Sequence, residues 1–516
     1  MAKDSLYQRA GRSVVWTLSS TVVNRSSQFV SNLVLAWLLS PDDFGLISLC
    51  YASASMVLML RHSGIGSVLI QQKEKIDAMA GSAASSALAA GTVTAGLLVG
   101  LGVLMSWFYG LPELFGLLCV LALAMPLESL RVVPETRLRY AMKFHLVALL
   151  NSSQFLLIAI CSITFAALGF GAYSFVLPQL VVLPLLLIAL RFLAGPTWTS
   201  VPRWSYIRML MGNGMMITTG LFAMQIINQG DYLLLGRHFP PEYVGVYFLA
   251  FSLSNQAIMS VVGNIVSVFQ AYLANLKEEG GERRWAFRQT LRMVAFAAVP
   301  TCLAMSAFAQ PAIDTLFDPR WYDAGVLMQV IAAGMSLRVL GFVVTPLMEA
   351  EKRWRAWTAM MWGTAAAYAG VLWYVTQHGR LATAWAVAAL LSVSSVVHLT
   401  VALKRWPRDW GFYRDIFAVP FALSAIVFYG SAWAVSVMNW PGWLELAVGL
   451  LVSGLAYLAG SWWLNRPIVV EVYGRFVGVL RRNAGPHDPS SGQAGEAAVD
   501  PSPPIEEVPN PARRYP

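Results

Sequence analysis

Long apolar stretches recur along almost the whole chain, parted by connectors rich in Pro, Gly and charge. The hydrocarbon core of a bilayer is about 30 Å thick, so a spanning helix needs roughly 20 mostly apolar residues. Only helices and closed barrels satisfy every backbone polar group in lipid. Barrel strands are about half as long as these stretches, so an all-α integral membrane protein is expected. Charged side chains make up 12% of the 516 residues, against roughly 25% for an average soluble domain. Fourteen candidate spans follow: 13–39, 44–60, 83–108, 113–131, 146–168, 172–194, 208–235, 245–270, 289–310, 325–347, 356–377, 381–402, 415–437 and 442–464.

Sorting the basic residues over these spans tests the count. With a cytoplasmic N-terminus, 31 of the 36 Lys and Arg fall on the cytoplasmic side. Arg237, Arg320 and Arg380 fall opposite, and Arg25 and Arg338 lie inside spans. Such asymmetry is the positive-inside pattern. It accounts for the net charge of +9 without nucleic acid, for which no binding motif is present. Lys3, Arg9 and Arg12 precede an apolar run that reaches Leu39 with no A-x-A site, so a retained first helix is expected. Cys50, Cys119, Cys161 and Cys302 lie singly in apolar stretches and read as core residues, not metal ligands. Trp107, Trp204, Trp321, Trp406, Trp440 and Trp443 stand near span ends, where interfacial belts place tryptophan.

The chain repeats internally. Pro41-Asp42-Asp43-Phe44-Gly45-Leu46 aligns with Pro241-Glu242-Tyr243-Val244-Gly245-Val246 at an offset of 200. At an offset of 210, Met125, Leu127 and Leu130 align with Met335, Leu337 and Leu340. Both six-span units begin on the same side, so they are parallel repeats, which in transporters flank a central substrate site. The expected organisation is an N-lobe (1–194), a cytoplasmic linker (195–207), a C-lobe (208–402), two extra helices (403–464) and a cytoplasmic tail (465–516). The lobes enclose a central cavity. Within the tail, 468–482 fits a short basic amphipathic helix, and the segment after Asn483 has a disordered composition.

The opening resembles the polysaccharide transporters of the multidrug/oligosaccharidyl-lipid/polysaccharide superfamily. The residues that carry the likeness are Leu38-Leu39-Ser40-Pro41-Asp42-Asp43-Phe44-Gly45, Gly64-Ile65-Gly66-Ser67-Val68-Leu69-Ile70-Gln71 and Leu316-Phe317-Asp318-Pro319-Arg320-Trp321-Tyr322-Asp323-Ala324. The family more often has Gly where Asp318 stands. The resemblance covers about residues 10–464 and implies a Wzx-type flippase. Such proteins move undecaprenyl-diphosphate-linked oligosaccharide repeat units across the bacterial inner membrane for exopolysaccharide or O-antigen synthesis. The subgroup resembles those serving xanthan, succinoglycan or colanic acid. Partners implied are the lipid-linked oligosaccharide, membrane lipids, a polysaccharide polymerase and glycosyltransferases.

A diphosphate cargo favours cationic side chains, and Arg matches phosphate oxygens with its planar fork. Arg25 sits near mid-span beside Asn24 and Gln28. Centring an Arg in a spanning helix costs about 2.5–3.5 kcal/mol on insertion scales, so it should face either a cavity or an acidic partner. The repeat-equivalent stretch holds Gln225, Asn228, Gln229 and Asp231, with Gln225 aligned to Arg25. Asp231 fits a coupling Na⁺ or H⁺ site, a partner for Arg25, or an ordinary interfacial carboxylate. Arg338 either snorkels or lines the cavity. Its repeat mate Glu128 stands three residues before Arg131 on one helix. Asn255 and Gln256 are further cavity candidates. The competing readings are a drug exporter of the same superfamily and a membrane glycan polymerase or ligase. The second usually carries a large periplasmic loop, whereas the longest such connector here is about a dozen residues. No P-loop is present, so the chain itself does not read as an ATPase.

Overall fold

The computed structural model describes residues 24, 27–59, 69, 76–141, 143–196, 200–204, 206, 207, 215–275, 281–404, 410–438 and 440–464. Arg25, the Gly64–Gln71 stretch apart from Leu69, and the tail from 465 onward lie outside the described residues. One compact unit ends at Leu464.

The first half holds α1 (Ser27–Leu38), α2 (Pro41–Leu58), α3 (Ile76–Tyr109), α4 (Glu113–Ser129), α5 (Val132–Tyr140), α6 (Phe144–Ala167) and α7 (Leu177–Ala194). The second half holds α8 (Met215–His238), α9 (Pro241–Asn275), α10 (Gly281–Ala307), α11 (Ala309–Leu316), α12 (Tyr322–Gly341), α13 (Val344–Ala350), α14 (Trp354–Val375) and α15 (Arg380–Ala402). A helical stretch from Trp410 passes through a π turn, Arg414–Ala418, into α16 (Val419–Ser436), and α17 (Gly442–Leu464) follows. Every described element is helical.

A helix stands at each of the fourteen expected positions. Nine of the described stretches are long and apolar enough to cross a membrane, or ten if α4 and α5, bent by 41°, form one span. The chain is thus a multi-pass membrane protein. Short of that criterion fall α2, α8 and α14, together with the described part of α1. In α8 the reason is visible, since Gln225, Asn228, Gln229 and Asp231 interrupt its apolar run.

Local sequence explains the start of α2. Ser40 and Asp43 form a reciprocal capping box, with Ser40 N donating to the Asp43 carboxylate at 3.0 Å and Asp43 N donating to Ser40 Oγ. Pro41 occupies the first helical turn, where its missing N–H costs nothing.

Equivalent helix pairs pack together in both halves: α3 on α4 as α10 on α12, α4 on α7 as α12 on α15, α6 on α7 as α14 on α15. The halves meet where α2 crosses α9. A Cβ on Gly45 would overlap the Pro241 carbonyl, and a Cβ on Gly245 would overlap the Pro41 carbonyl. These four are the identical residues of the sequence repeat. Only glycine lets the two backbones approach so closely. At the same end, Tyr109 Oη donates to Leu233 O at 2.9 Å, and Arg237 lies over the Phe108 ring at 5.3 Å.

Helices α16 and α17 fasten to the second half. Tyr457 Oη donates to Phe296 O at 2.9 Å, Ser306 and Tyr429 share a hydrogen bond of 2.6 Å, and Phe308 packs with Phe428 and Tyr457. Buried Asp415 pairs with Arg292 and Arg414. Free Cys50 and Cys302 are buried, and Cys119 and Cys161 are partly so. Trp107, Trp204 and Trp443 are exposed to the surroundings as belt residues are, but Trp321 is fully buried. The interfacial reading of Trp321 is therefore corrected: its indole N–H donates to Ala36 O at 3.0 Å and its ring packs on Phe44.

Candidate functional site

Helix α8 sets the site. It packs along α14 and reaches α2. Small residues permit the fit, with Gly220 against Trp357 and Gly230 near Tyr368. The polar residues of α8 then fall between helices instead of facing lipid.

Asp231 is completely buried. Tyr247 of α9 donates its hydroxyl to Asp231 Oδ2 at 2.8 Å. Tyr368 of α14 faces the same carboxylate without completing a hydrogen bond. Both Asp231 Oδ1 and the Tyr368 hydroxyl are buried with no partner among the described residues. Around them Tyr232 makes edge contacts with Tyr247, Phe248 and Phe251.

Arg338 of α12 completes the cluster. It is 8% exposed and donates to Asn228 Oδ1 at 2.7 Å. Its guanidinium also reaches Met335 Sδ at 3.5 Å and lies over the Phe342 ring at 5.6 Å. Arg338 and Asp231 are near enough to interact electrostatically. A lone charge in so apolar a setting is strongly unfavourable, and a neighbouring opposite charge with aligned donors offsets much of that cost. Four helices, α8, α9, α12 and α14, thus converge on one cation, one carboxylate, one amide and two phenols.

Three of the sequence candidates, Asn228, Asp231 and Arg338, come together here. Asp231 is enclosed by protein, and the Arg338 guanidinium turns inward to Asn228. Helix α8 packs on α14 and α2, so the polar residues it carries meet protein, and Arg338 reaches Asn228 from α12. Gln225 and Asn255 are half-buried. Asn24 is half-buried, its side-chain oxygen without a partner among the described residues, and Gln28 is exposed. Gln256 is buried and accepts from Asn32 Nδ2 at 3.5 Å, joining α1 to α9. Arg131 hydrogen-bonds Gln154 and Asn151, and lies 3.8 Å from Glu135. Tyr247 and Tyr368 escape the sequence reading. Tyr368 stands well inside its span, away from the ends where belts place tyrosine, whereas Tyr247 stands near the start of its own and carries no such signal.

Among the described residues no group of three or more His, Cys, Asp or Glu is placed to hold a metal. What the cluster offers is a buried site of mixed charge within a bundle of spanning helices.

The comparisons with known proteins agree on family and fold. The model of the family described as polysaccharide biosynthesis protein matches residues 34–326. The succinoglycan biosynthesis transport protein ExoT of Rhizobium meliloti (strain 1021) is 25% identical over 331 residues, 62% of this chain and 65% of that protein. The teichuronic acid biosynthesis protein TuaB of Bacillus subtilis (strain 168) is 24% identical over 239 residues, 44% of this chain and 48% of that protein. The chain therefore spans less than two thirds of the length of either relative. Among solved structures, the lipid II flippase MurJ in an inward closed conformation superposes with a TM-score of 0.68 at 14% identity, over 88% of this chain and 99% of that one. An inward-facing multidrug resistance MATE family transporter of the MOP superfamily superposes with a TM-score of 0.55 at 14% identity, over 76% and 98%. The fold is that of these transporters, and by the match over more than half its length the chain belongs to the polysaccharide biosynthesis protein family.

Proposed function

We propose that the chain is a flippase for undecaprenyl-diphosphate-linked oligosaccharide repeat units. It carries them from the cytoplasmic to the periplasmic leaflet of the bacterial inner membrane, for exopolysaccharide or O-antigen synthesis. The observation that carries this reading is the family match over residues 34–326. The transporter fold supports it, because sugars cannot cross about 30 Å of hydrocarbon without a protein path. The protein is then a transporter, not an enzyme.

In this reading residues 1–194 and 208–402 are the two lobes, joined by a cytoplasmic linker at 195–207. Residues 403–464 ride on the second lobe, and the termini, with the tail from 465, are cytoplasmic. The lobes rock about the α2–α9 crossing and expose a central cavity to each side in turn. Arg25, with Asn24 and Gln28, engages the diphosphate or an acidic sugar from the first lobe. Gln225, Asn255 and the Arg338–Asn228 pair supply polar groups from the second. The unpartnered oxygen of Asp231 suits a coupling H⁺ or Na⁺, with Tyr247 and Tyr368 as neighbours. Glycosyltransferases of the same assembly line act before translocation and a polymerase after it.

Complementation tests the reading. A host lacking its own exopolysaccharide flippase receives the wild-type chain, Arg25→Ala or Arg25→Lys, with membrane abundance measured for each. The expected result is polymer from wild type and at least a tenfold loss with Arg25→Ala at equal abundance. Polymer from Arg25→Ala at the wild-type level removes Arg25 from the site. No polymer from wild type in any suitable host, with drug efflux instead, replaces the cargo by a small molecule.

A further inference from the structure

The last turn of a helix leaves its carbonyls without intrahelical donors, and they need partners from elsewhere. Helix α1 ends at Leu38, and its last turn is satisfied from the opposite half of the molecule. Trp321 Nε1 donates to Ala36 O at 3.0 Å, and the Arg320 guanidinium reaches Trp37 O at 3.5 Å. The arrangement is returned. Trp37 Nε1 donates to Leu316 O at 2.7 Å, and Leu316 is the last residue of α11. Two helix C-termini, one in each half, are capped by an indole from the other.

The surroundings hold this exchange in place. Trp321 is fully buried and meets the Phe44 ring edge-on at 5.0 Å, in the first turn of α2. Asp318 accepts from Arg320 at 2.7 Å and steadies a cation at the negative end of α1. Ser40 and Asp43 fix the corner between α1 and α2 through their capping box. Gly45 and Gly245 bring the backbones together one turn away. None of these groups belongs to the Asp231–Arg338 cluster.

We infer that the reciprocal caps of Trp37 and Trp321, with Arg320, form a latch that holds the two halves shut at the α2–α9 end. Parting the halves there strands the Ala36 and Leu316 carbonyls together, so the latch biases the protein toward the state closed at this end. The inference rests on the transporter reading, since only a protein whose halves part has use for a latch. It names which contacts must break before cargo leaves on that side.

Thiol labelling tests it without cargo. Cys50, Cys119, Cys161 and Cys302 are replaced, and Ser48→Cys serves as an isosteric probe, buried one turn beyond Gly45. The purified protein in nanodiscs is labelled with a charged maleimide. Trp321→Phe removes the N–H together with the pyrrole part of the buried ring, so Arg320→Gln is the variant that separates the latch from packing. Arg320→Gln acts at a half-exposed position, so packing does not depend on it. Each variant is expected to label several-fold faster than the parent, and Trp37→Phe with Trp321→Phe faster still. Labelling at the parent rate in both single variants, with folding shown by an unchanged elution profile, overturns the latch. If the rates rise while no host is complemented, the latch stands and the cargo reading falls. If hosts are complemented and the rates do not move, the latch falls and the cargo reading stands.

Discussion

At the α2–α9 crossing the two halves of the molecule are near copies. Deeper in the bundle they are not. Pro41 and Gly45 meet Pro241 and Gly245 in a reciprocal contact that neither half makes alone. Capping there is reciprocal as well, with Trp37 serving α11 and Trp321 serving α1, although the two tryptophans are not repeat mates. One or two turns inward the symmetry lapses. Asp231 and Tyr247 form a hydrogen-bonded pair in the second half, whereas their repeat mates are Ser31 and Ile47. Ser31 and Ile47 are equally buried but carry no charge. Arg338 likewise stands where the first half has Glu128. The lesson is physical. A close backbone crossing constrains both partners at once, so duplication preserves it. A buried charge needs its network in only one copy, and the other is free to lose it.

Arg338→Met is the sharpest test of that asymmetry. It removes the cation and leaves Asp231 and Asn228 facing one another in an apolar interior. Breaking a buried charge arrangement on one side costs about 3 kcal/mol or more, so a large fall in thermal midpoint is expected for the purified protein. Asp231→Asn combined with Arg338→Met should cost less than the sum of the two single changes, because neither charge is then stranded. Additive losses would mean that the two groups do not sense each other and that the cluster is not one unit.

Next comes the crossing itself. Gly45→Ala and Gly245→Ala each place a methyl group on the opposite backbone. Overpacking of this kind costs about 1–3 kcal/mol. Because the contact is reciprocal, the two substitutions should lower the thermal midpoint by similar amounts and speed labelling of Ser48→Cys alike. Widely different effects would break the symmetry argued here.

Much of this architecture is legible in the sequence, and the limits follow from physics. Apolar length marks a spanning helix wherever a stretch faces lipid or an apolar neighbour, and helices stand at each expected position. The signal weakens in α8, where Gln225, Asn228, Gln229 and Asp231 dilute the run because their partners are protein. The Pro-x-x-x-Gly repeat reveals that two turns are equivalent, but not that they touch. That contact is a property of the fold, since 200 residues separate the partners. Asp231 and Arg338 stand out as charges inside spans, which lipid penalises. Tyr247 and Tyr368 do not, since a buried phenol is tolerable with or without a carboxylate beside it. Trp321 misleads for a related reason. A tryptophan near a span end is most often interfacial, and only the position of α1 reveals that its N–H has a carbonyl to cap.

The smallest effect is the most discriminating between the halves. Tyr247→Phe removes one hydroxyl and leaves the ring contacts with Tyr232 and Phe251 in place. Interhelical hydrogen bonds in membrane proteins contribute about 0.6 kcal/mol on average and about 1.7 at most. This one lies on a buried carboxylate, so the upper part of that range, roughly 1–1.7 kcal/mol, is expected. Asp231→Ser gives α8 the residue that α1 carries at the matching place. In that background Tyr247→Phe should cost far less, because the hydroxyl has lost the charge it serves. A thermal-denaturation double-mutant cycle reads the difference directly. A coupling energy near zero would mean that Tyr247 stabilises α9 by packing alone. The second half would then differ from the first in residue type but not in how its helices are tied together.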